Sequence, residues 1–396
     1  MKNKKGFISM TLVYTFLIVF MFLMLAILRA YTEKDKFLQT ISDQIDSDIS
    51  ESKKTKNLLV NKIIEDNGAR SDAHVYFFNI ANKTVGNGNG FYYTSDDSMN
   101  DENADGKYER MYYFRGETEN NHLVFANLCF RIIRFNENGS VRIMYNGPYV
   151  NYKCPKVGEI DRSIGKASFS TAVNDSDYIS LVDGNTPIAD AENNQSPIIS
   201  VLNRWYVSSF LKIRYGGTDY YSDDIDKSAI YCNNRETYAI SGTTYYKSKK
   251  LIPTFIDKNN RNIYNFSNIQ NELTFKCGSA NDRLSTESKT LLYPVGLVTA
   301  QDVVLAGGYF NDSTDLYKGG AAGFKNKKYY MYNTDNKYWT MTAADTSHPI
   351  YVDENGTLKY GEYSSAEYDI IPVISLKANV FVESGNGSST SPYIVK

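Results

Sequence analysis

Hydrophobic and polar positions divide the chain into three stretches. Residues 7–28, FISMTLVYTFLIVFMFLMLAIL, carry no charged side chain over 22 positions, and a bilayer-crossing helix takes about 20. The basic leader MKNKKG, residues 1–6, precedes them. Lys2, Lys4 and Lys5 predict a cytoplasmic N-terminus by the positive-inside bias, with everything beyond Arg29 outside the cell. The expectation is a single-pass protein of the cell membrane with an extracellular C-terminal part. A cleaved secretory signal has a shorter apolar run and a small-residue cleavage site. Here the run ends LAILRAYTEK, where Ala26 and Ala30 make no such site.

The second stretch spans residues 29–67. No Gly or Pro occurs anywhere in residues 7–67. Phe37, Leu38, Ile41, Ile45 and Ile49 recur near every fourth position, an apolar stripe on a polar helix. The polar run SESKKTKN interrupts the stripe, then Leu58, Leu59, Ile63 and Ile64 restore it and Asn67-Gly68 supplies a stop. The pattern predicts a helical stalk continuous with the apolar helix.

Residues 69–396 alternate in shorter periods and predict strands, turns and a few helices, hence an α+β ectodomain without a βαβ rhythm. VYFFNI (75–80) and MYYFRG (111–116) read as strands. FRIIRF and SVRIMY flank the turn Asn136-Glu137-Asn138-Gly139 and predict a hairpin, the first strand partly apolar on both faces. Residues 196–213 place Ile199, Leu202, Tyr206 and Phe210 at helical spacing behind Pro197. Thr299-Ala300-Gln301-Asp302 is a capping box for a short helix reaching Ala306. VISLKANVFV (373–382) reads as a closing strand.

Composition adds exclusions. A net charge of −2 and a pI near 6.0 give no electrostatic basis for nucleic-acid binding. The 33 tyrosines among small polar residues suit a recognition or adhesive surface. Cys129, Cys154, Cys232 and Cys277 lie in the third stretch without CxxC spacing, which favours disulfides. Three pairings are possible and local order favours Cys129–Cys154 with Cys232–Cys277, while Cys129 also fits a buried free thiol. His74, His122 and His348 are scattered and form no HExxH motif, and no G-x-S-x-G elbow occurs, so no enzyme activity is expected. Asp101, Asn103 and Asp105 reproduce the D-x-N-x-D-G start of a calcium loop, with Glu109 as a further ligand. Such clusters are also ordinary turn material. Calcium is the one cofactor this chain suggests.

KKGF followed by the long apolar helix resembles the N-terminus of type IV pilins and pseudopilins. The resemblance implies cleavage by a prepilin peptidase between Gly6 and Phe7, and other pilin-like subunits as partners in a pilus or a type II secretion-like apparatus. Thr11 stands where that family usually has Glu, which implies a minor subunit. A second resemblance rests on YYFRGETENNHLVFANLCFRIIRFNENGSVRIMYNG, IYCNNRETY, FKCGSANDRLS, LYPVGLVTAQDVVLAGG, YWTM and IIPVISLKANVFVESGNGSSTSPYIVK, in this order. Residues 110–396 resemble a bacterial surface-domain family similar to formylglycine-generating-enzyme and C-type-lectin-like folds. That family usually shows Gly-Val-Arg-Pro where this chain has Asp369-Ile370-Ile371-Pro372. The two resemblances imply a membrane-inserted pilin-like protein presenting a C-type-lectin-like ectodomain for binding or adhesion, with an extracellular ligand such as a carbohydrate. The alternative is a signal-anchored surface protein that binds a ligand without assembling into filaments.

Overall fold

The hairpin around Asn136-Glu137-Asn138-Gly139 is the pivot of the third stretch. The structure is a computed structural model that describes residues 14, 16–25, 28–29, 57–73, 75, 78–79, 84–85, 88–95, 100–102, 105–107, 110–169, 196–214, 217–232, 237–240, 243–246, 273–275, 277, 283–309, 327–344, 348–360 and 365–395. The chain divides into two units, residues 1–56 and 57–396.

In the first unit, residues 14, 16–25 and 28–29 are helical, and the apolar side chains of 16–25 are exposed. Among the described residues no helix is long and apolar enough to cross a membrane. The expected transmembrane helix, and with it the single-pass cell-membrane location with a cytoplasmic N-terminus, is not supported. Gly6 and Phe7, the expected processing site, lie outside the described residues.

The expected stalk is corrected as well. Leu58 adopts an extended backbone (φ −58°, ψ 134°) and bridges to Phe381. The Leu59 amide donates to Val380 O at 2.9 Å, and the Val382 amide to Asn57 O at 2.9 Å. These strand-like bonds take residues 57–58 out of any continuous helix. Only then does α1 (Leu59–Asn67) begin, burying Leu59 and Ile63 and closing on the left-handed Gly68.

Two sheets dominate the second unit. In chain order their strands are β1 (Arg70–Ser71), β2 (Gly90–Tyr93), β3 (Tyr112–Arg115), β4 (His122–Phe125), β5 (Leu128–Phe135), β6 (Val141–Pro148), β7 (Lys166–Ser168), β8 (Tyr338–Ala343), β9 (Pro349–Val352), β10 (Leu358–Lys359), β11 (Glu367–Asp369), β12 (Val373–Leu376), β13 (Val382–Ser384) and β14 (Tyr393–Val395). The nine-stranded sheet follows β1-β2-β3-β5-β4-β14-β13, and β6 joins β5 to β12. The five-stranded sheet has the order β10-β9-β8-β11-β7. Two further described helices are short, α2 (Pro197–Phe210) and α3 (Ala300–Leu305). The described chain is therefore mostly β-sheet with few short helices, which corrects the expected α+β class with its long N-terminal helix and C-type-lectin-like ectodomain. The closing strand expected over 373–382 splits because the Lys377 amide turns to Asp224 O at 2.9 Å.

β5 reaches this central position because seven of its eight residues are buried, on both faces. One edge pairs with β6 throughout. The other is shared: β4 meets its start, with His122 opposite Arg131, and β3 meets its end, with Tyr113 opposite Arg134. Asn121 fills the fork, its O accepting from the Ile132 amide at 2.8 Å and its Nδ2 donating to Ile132 O at 3.0 Å. Gly116 turns the chain out of β3 with φ +73°, and an added Cβ would overlap Asn89 Oδ1 and the Gly88 carbonyl. In the second sheet the fully buried Trp339 donates Nε1–H to Ala167 O at 2.9 Å and packs against Phe169, Tyr351 and Tyr368. Cys129 is bonded to Cys154 and Cys232 to Cys277, with Cα–Cα distances of 5.6 and 5.5 Å, and no cysteine is free.

His122 sits beside the fork, buried and in contact with Arg131, whose Nη1 lies 2.9 Å from His122 Nε2. A guanidinium only donates, so the imidazole is the acceptor and neutral. Burial, then the Arg131, Arg162 and Lys156 charges, push its pKa down to about 2. Between that value and the ordinary 6.5 the unfolded chain carries a proton that the folded chain refuses, so stability is fully present above 6.5 and is lost as pH drops through this window. His122 should account for about 3 kcal/mol lost between pH 8 and pH 4.5. Urea unfolding of wild type and His122→Gln at both pH values should show the variant losing less by that amount; equal losses would contradict the assignment.

Candidate functional site

Besides Arg131, the β5–β6 hairpin carries the buried cations Arg134 and Arg142, which need counter-charges in a desolvated setting. Glu102 supplies one: its Oε1 lies 2.5 Å from Arg134 Nη2 and 3.7 Å from Arg142 Nη1. Asp302 of α3 supplies the other, its Oδ1 accepting from Arg134 Nε at 2.9 Å. Asp302 Oδ2 closes the capping box, accepting from the Thr299 amide and hydroxyl at 2.9 Å. Burial alone raises the Asp302 carboxyl, but Arg134, Arg142 and the Thr299 amide hold it below the ordinary carboxylate range. Arg142 also donates to Ile230 O and lies 4.9 Å over the Tyr231 ring. Arg134 stacks 4.2 Å from the Phe275 ring.

Glu102 reaches inward, and its neighbour Asp101 stays with the loop. Asp101 Oδ1 accepts from the Gly106 amide at 3.4 Å, and Asp105 Oδ1 from the Lys107 amide at 2.8 Å. Gly106 adopts φ +82°, the left-handed turn that D-x-N-x-D-G requires of its glycine. Across from this loop stands Glu137 at the hairpin tip. Carboxylate oxygens of Asp101, Asp105 and Glu137 all lie within 4.8 Å of one another. The set is graded in exposure, Asp101 buried, Glu137 half-buried and Asp105 exposed. Three hard oxygen donors at this spacing form an acidic cluster that can hold a metal ion. Lys107 Nζ lies 3.0 Å from Asp105 Oδ2, which raises the pKa of that fully exposed ammonium.

Of the four expected ligands, Asp101 and Asp105 are brought together, while Asn103 and Glu109 lie outside the described residues. Glu137 was missed. Its only sequence signal was membership of the hairpin turn, and nothing local links that turn to residue 101. The link is the Glu102–Arg134 pair, spanning 32 positions.

The cluster borders a cleft of about 350 Å³, the small end of the range for ligand sites. Its wall includes Glu102, Asp105, Asn136, Glu137, Ile230 and Glu287. The hairpin tip is held rigid by its own amides: Asn138 Nδ2 donates to Asp226 Oδ2 at 2.8 Å, and Ser140 Oγ donates to Asn138 Oδ1 at 2.6 Å. Burial raises the Asp226 carboxyl, and hydrogen bonds from Ser228 and Asn138 outweigh it to leave the pKa lowered. Comparison with protein-family models, curated proteins and solved structures gives no match.

Glu102 should be the residue on which loop and hairpin depend. Removing one partner of a buried ion pair leaves an uncompensated charge, which costs about 3–5 kcal/mol. Glu102→Ala should lose that much in denaturant unfolding, whereas Glu287→Ala, at an exposed residue of the same lining, should lose under about 0.5 kcal/mol. Equal losses would remove the buried pair from its central position.

Proposed function

We propose that residues 57–396 form a binding module whose recognition site is this cleft, and that calcium occupies the cluster at its edge. The convergence of Asp101, Asp105 and Glu137 on one point carries the reading. The donor set contains oxygen only, which suits calcium or magnesium and not zinc or copper. Calcium tolerates irregular coordination, and a site assembled from a surface loop and a hairpin tip is irregular; magnesium demands an octahedron. The rigid hairpin tip supports recognition, since a preorganised wall loses little entropy when a ligand docks.

The calcium test is thermodynamic. A ligand that binds only the folded state stabilises it by about 2.7 kcal/mol at a hundred times its Kd. Millimolar calcium should therefore raise the melting temperature of the wild-type chain and leave Asp101→Asn and Glu137→Gln unmoved. A wild-type melting curve that ignores calcium would discard the calcium assignment.

A further inference from the structure

We infer that the oxidation state of the Cys232–Cys277 pair governs this cleft. The disulfide holds an aromatic cover over Arg134, and its reduction hydrates that arginine, frees Glu102 and weakens calcium at the cluster. The inference rests on the reading of the cleft as a calcium-bearing recognition site.

The lining draws on three stretches of chain. One is the loop carrying Glu102 and Asp105, and a second is the hairpin tip. The third includes Ala229 and Ile230, which run directly into Tyr231-Cys232. That stretch is tied twice. Tyr231-Cys232 pairs in antiparallel register with Arg283-Leu284, and Cys232 is bonded to Cys277 across 45 positions. Leu273, Phe275 and Cys277 alternate along the sequence, and each is at most 3 % exposed.

The two cysteines stand beside the two rings that meet the arginine pair. Tyr231, next to Cys232, lies 4.9 Å from the Arg142 guanidinium. Phe275, two positions before Cys277, lies 4.2 Å from that of Arg134. A cation gains more from a ring, and from a carboxylate, where water is excluded. Tyr231 has further anchors, because its hydroxyl donates to Pro294 O at 3.0 Å and lies 3.2 Å from Val373 O. Phe275 is tied through Cys277. Arg134 is thus the arginine that reduction uncovers, and Arg134 holds Glu102 beside the ligand Asp101.

The other disulfide supplies the contrast. Cys129–Cys154 packs with Val124, Tyr149 and Ile394 in an apolar cluster separate from the main core, whereas Phe275 and Tyr231 belong to that core. Reduction itself is a two-electron step. A dithiol supplies two electrons and two protons and closes to its own disulfide, while the S–S bond breaks into two thiols. Cys232 and Cys277 are both buried, so exchange waits on local opening and the site keeps its state between openings.

The test uses the full chain and calorimetric calcium titration. Cys129→Ser/Cys154→Ser, which keeps only the Cys232–Cys277 bond, should match wild type when oxidised. After equilibration with dithiothreitol it should bind at least tenfold more weakly, with the thiols verified by alkylation and intact mass. Cys232→Ser/Cys277→Ser should be at least tenfold weaker and unmoved by dithiothreitol. Phe275→Leu, which leaves both disulfides intact, should weaken calcium as well and decides the matter where a cysteine variant does not fold. A bond that only staples the chain lowers the melting temperature and leaves the calcium affinity of the folded protein unchanged. That result, or equal weakening on loss of either disulfide, would overturn the inference. A readout without calcium keeps the two failures apart. In the Cys129→Ser/Cys154→Ser background, Glu102→Ala should move the urea midpoint at most half as far in the reduced chain as in the oxidised one, because an uncovered Arg134 is already hydrated. If the oxidised wild type ignores calcium, the calcium assignment fails and the smaller shift still supports control by the disulfide. An undiminished shift in the reduced chain overturns it.

Discussion

Arg134 is the constraint around which the second unit is arranged. It stands on a strand buried on both faces, where an isolated guanidinium is intolerable. Its Nε and Nη2 are answered by Asp302 and Glu102, residues drawn from α3 and from the loop after β2. One side chain thus fixes a helix, a loop and a hairpin in a single register. Asp302 divides its carboxylate between Arg134 and the Thr299 cap, so the helix start and the sheet centre are set by the same group. Polar pairs of this kind specify an arrangement more than they stabilise it.

The other buried arginines solve the same problem with backbone. Arg115 Nη1 donates to Val304 O and Leu305 O, at 3.0 and 2.8 Å, at the C-terminal end of α3, where Val304 O also accepts from the Gly307 amide at 3.1 Å. Arg162 donates to Tyr330 O and Tyr332 O, and Arg131 Nη2 to Thr118 O at 2.6 Å. Arg115 thus holds a helix end, while Arg162 and Arg131 each hold a loop. Burial lowers the pKa of Arg115 and Arg162.

Local signals in the sequence located much of this. The hairpin turn, α2 with Pro197 in its first turn, and the α3 capping box all follow from neighbours within a few positions. What escaped was set by distant partners. FRIIRF reads as a strand partly apolar on both faces, and nothing near it names the acids that answer Arg134, which lie 32 and 168 positions away. The helical pattern through residue 58 was overridden by bonds to Val380 and Phe381, which no window around Leu58 contains. Two of the three acids in the cluster were legible as D-x-N-x-D-G. Glu137 was not, since only folding carries it to Asp101.

The bonds that end the helical pattern also decide when folding can finish. Asn57 and Leu59 meet Val382 and Val380, and β14 lies between β4 and β13, parallel to β4. Contacts of such sequence separation form late, because a loop of more than 300 residues must close before they are rewarded. During synthesis β4 and β5 emerge long before the strand that covers their edge, and β4 waits with its backbone unpaired on that side. Such an edge invites pairing with another chain. The interval between the emergence of residue 125 and of residue 395 is therefore the period in which this protein is exposed to misassembly.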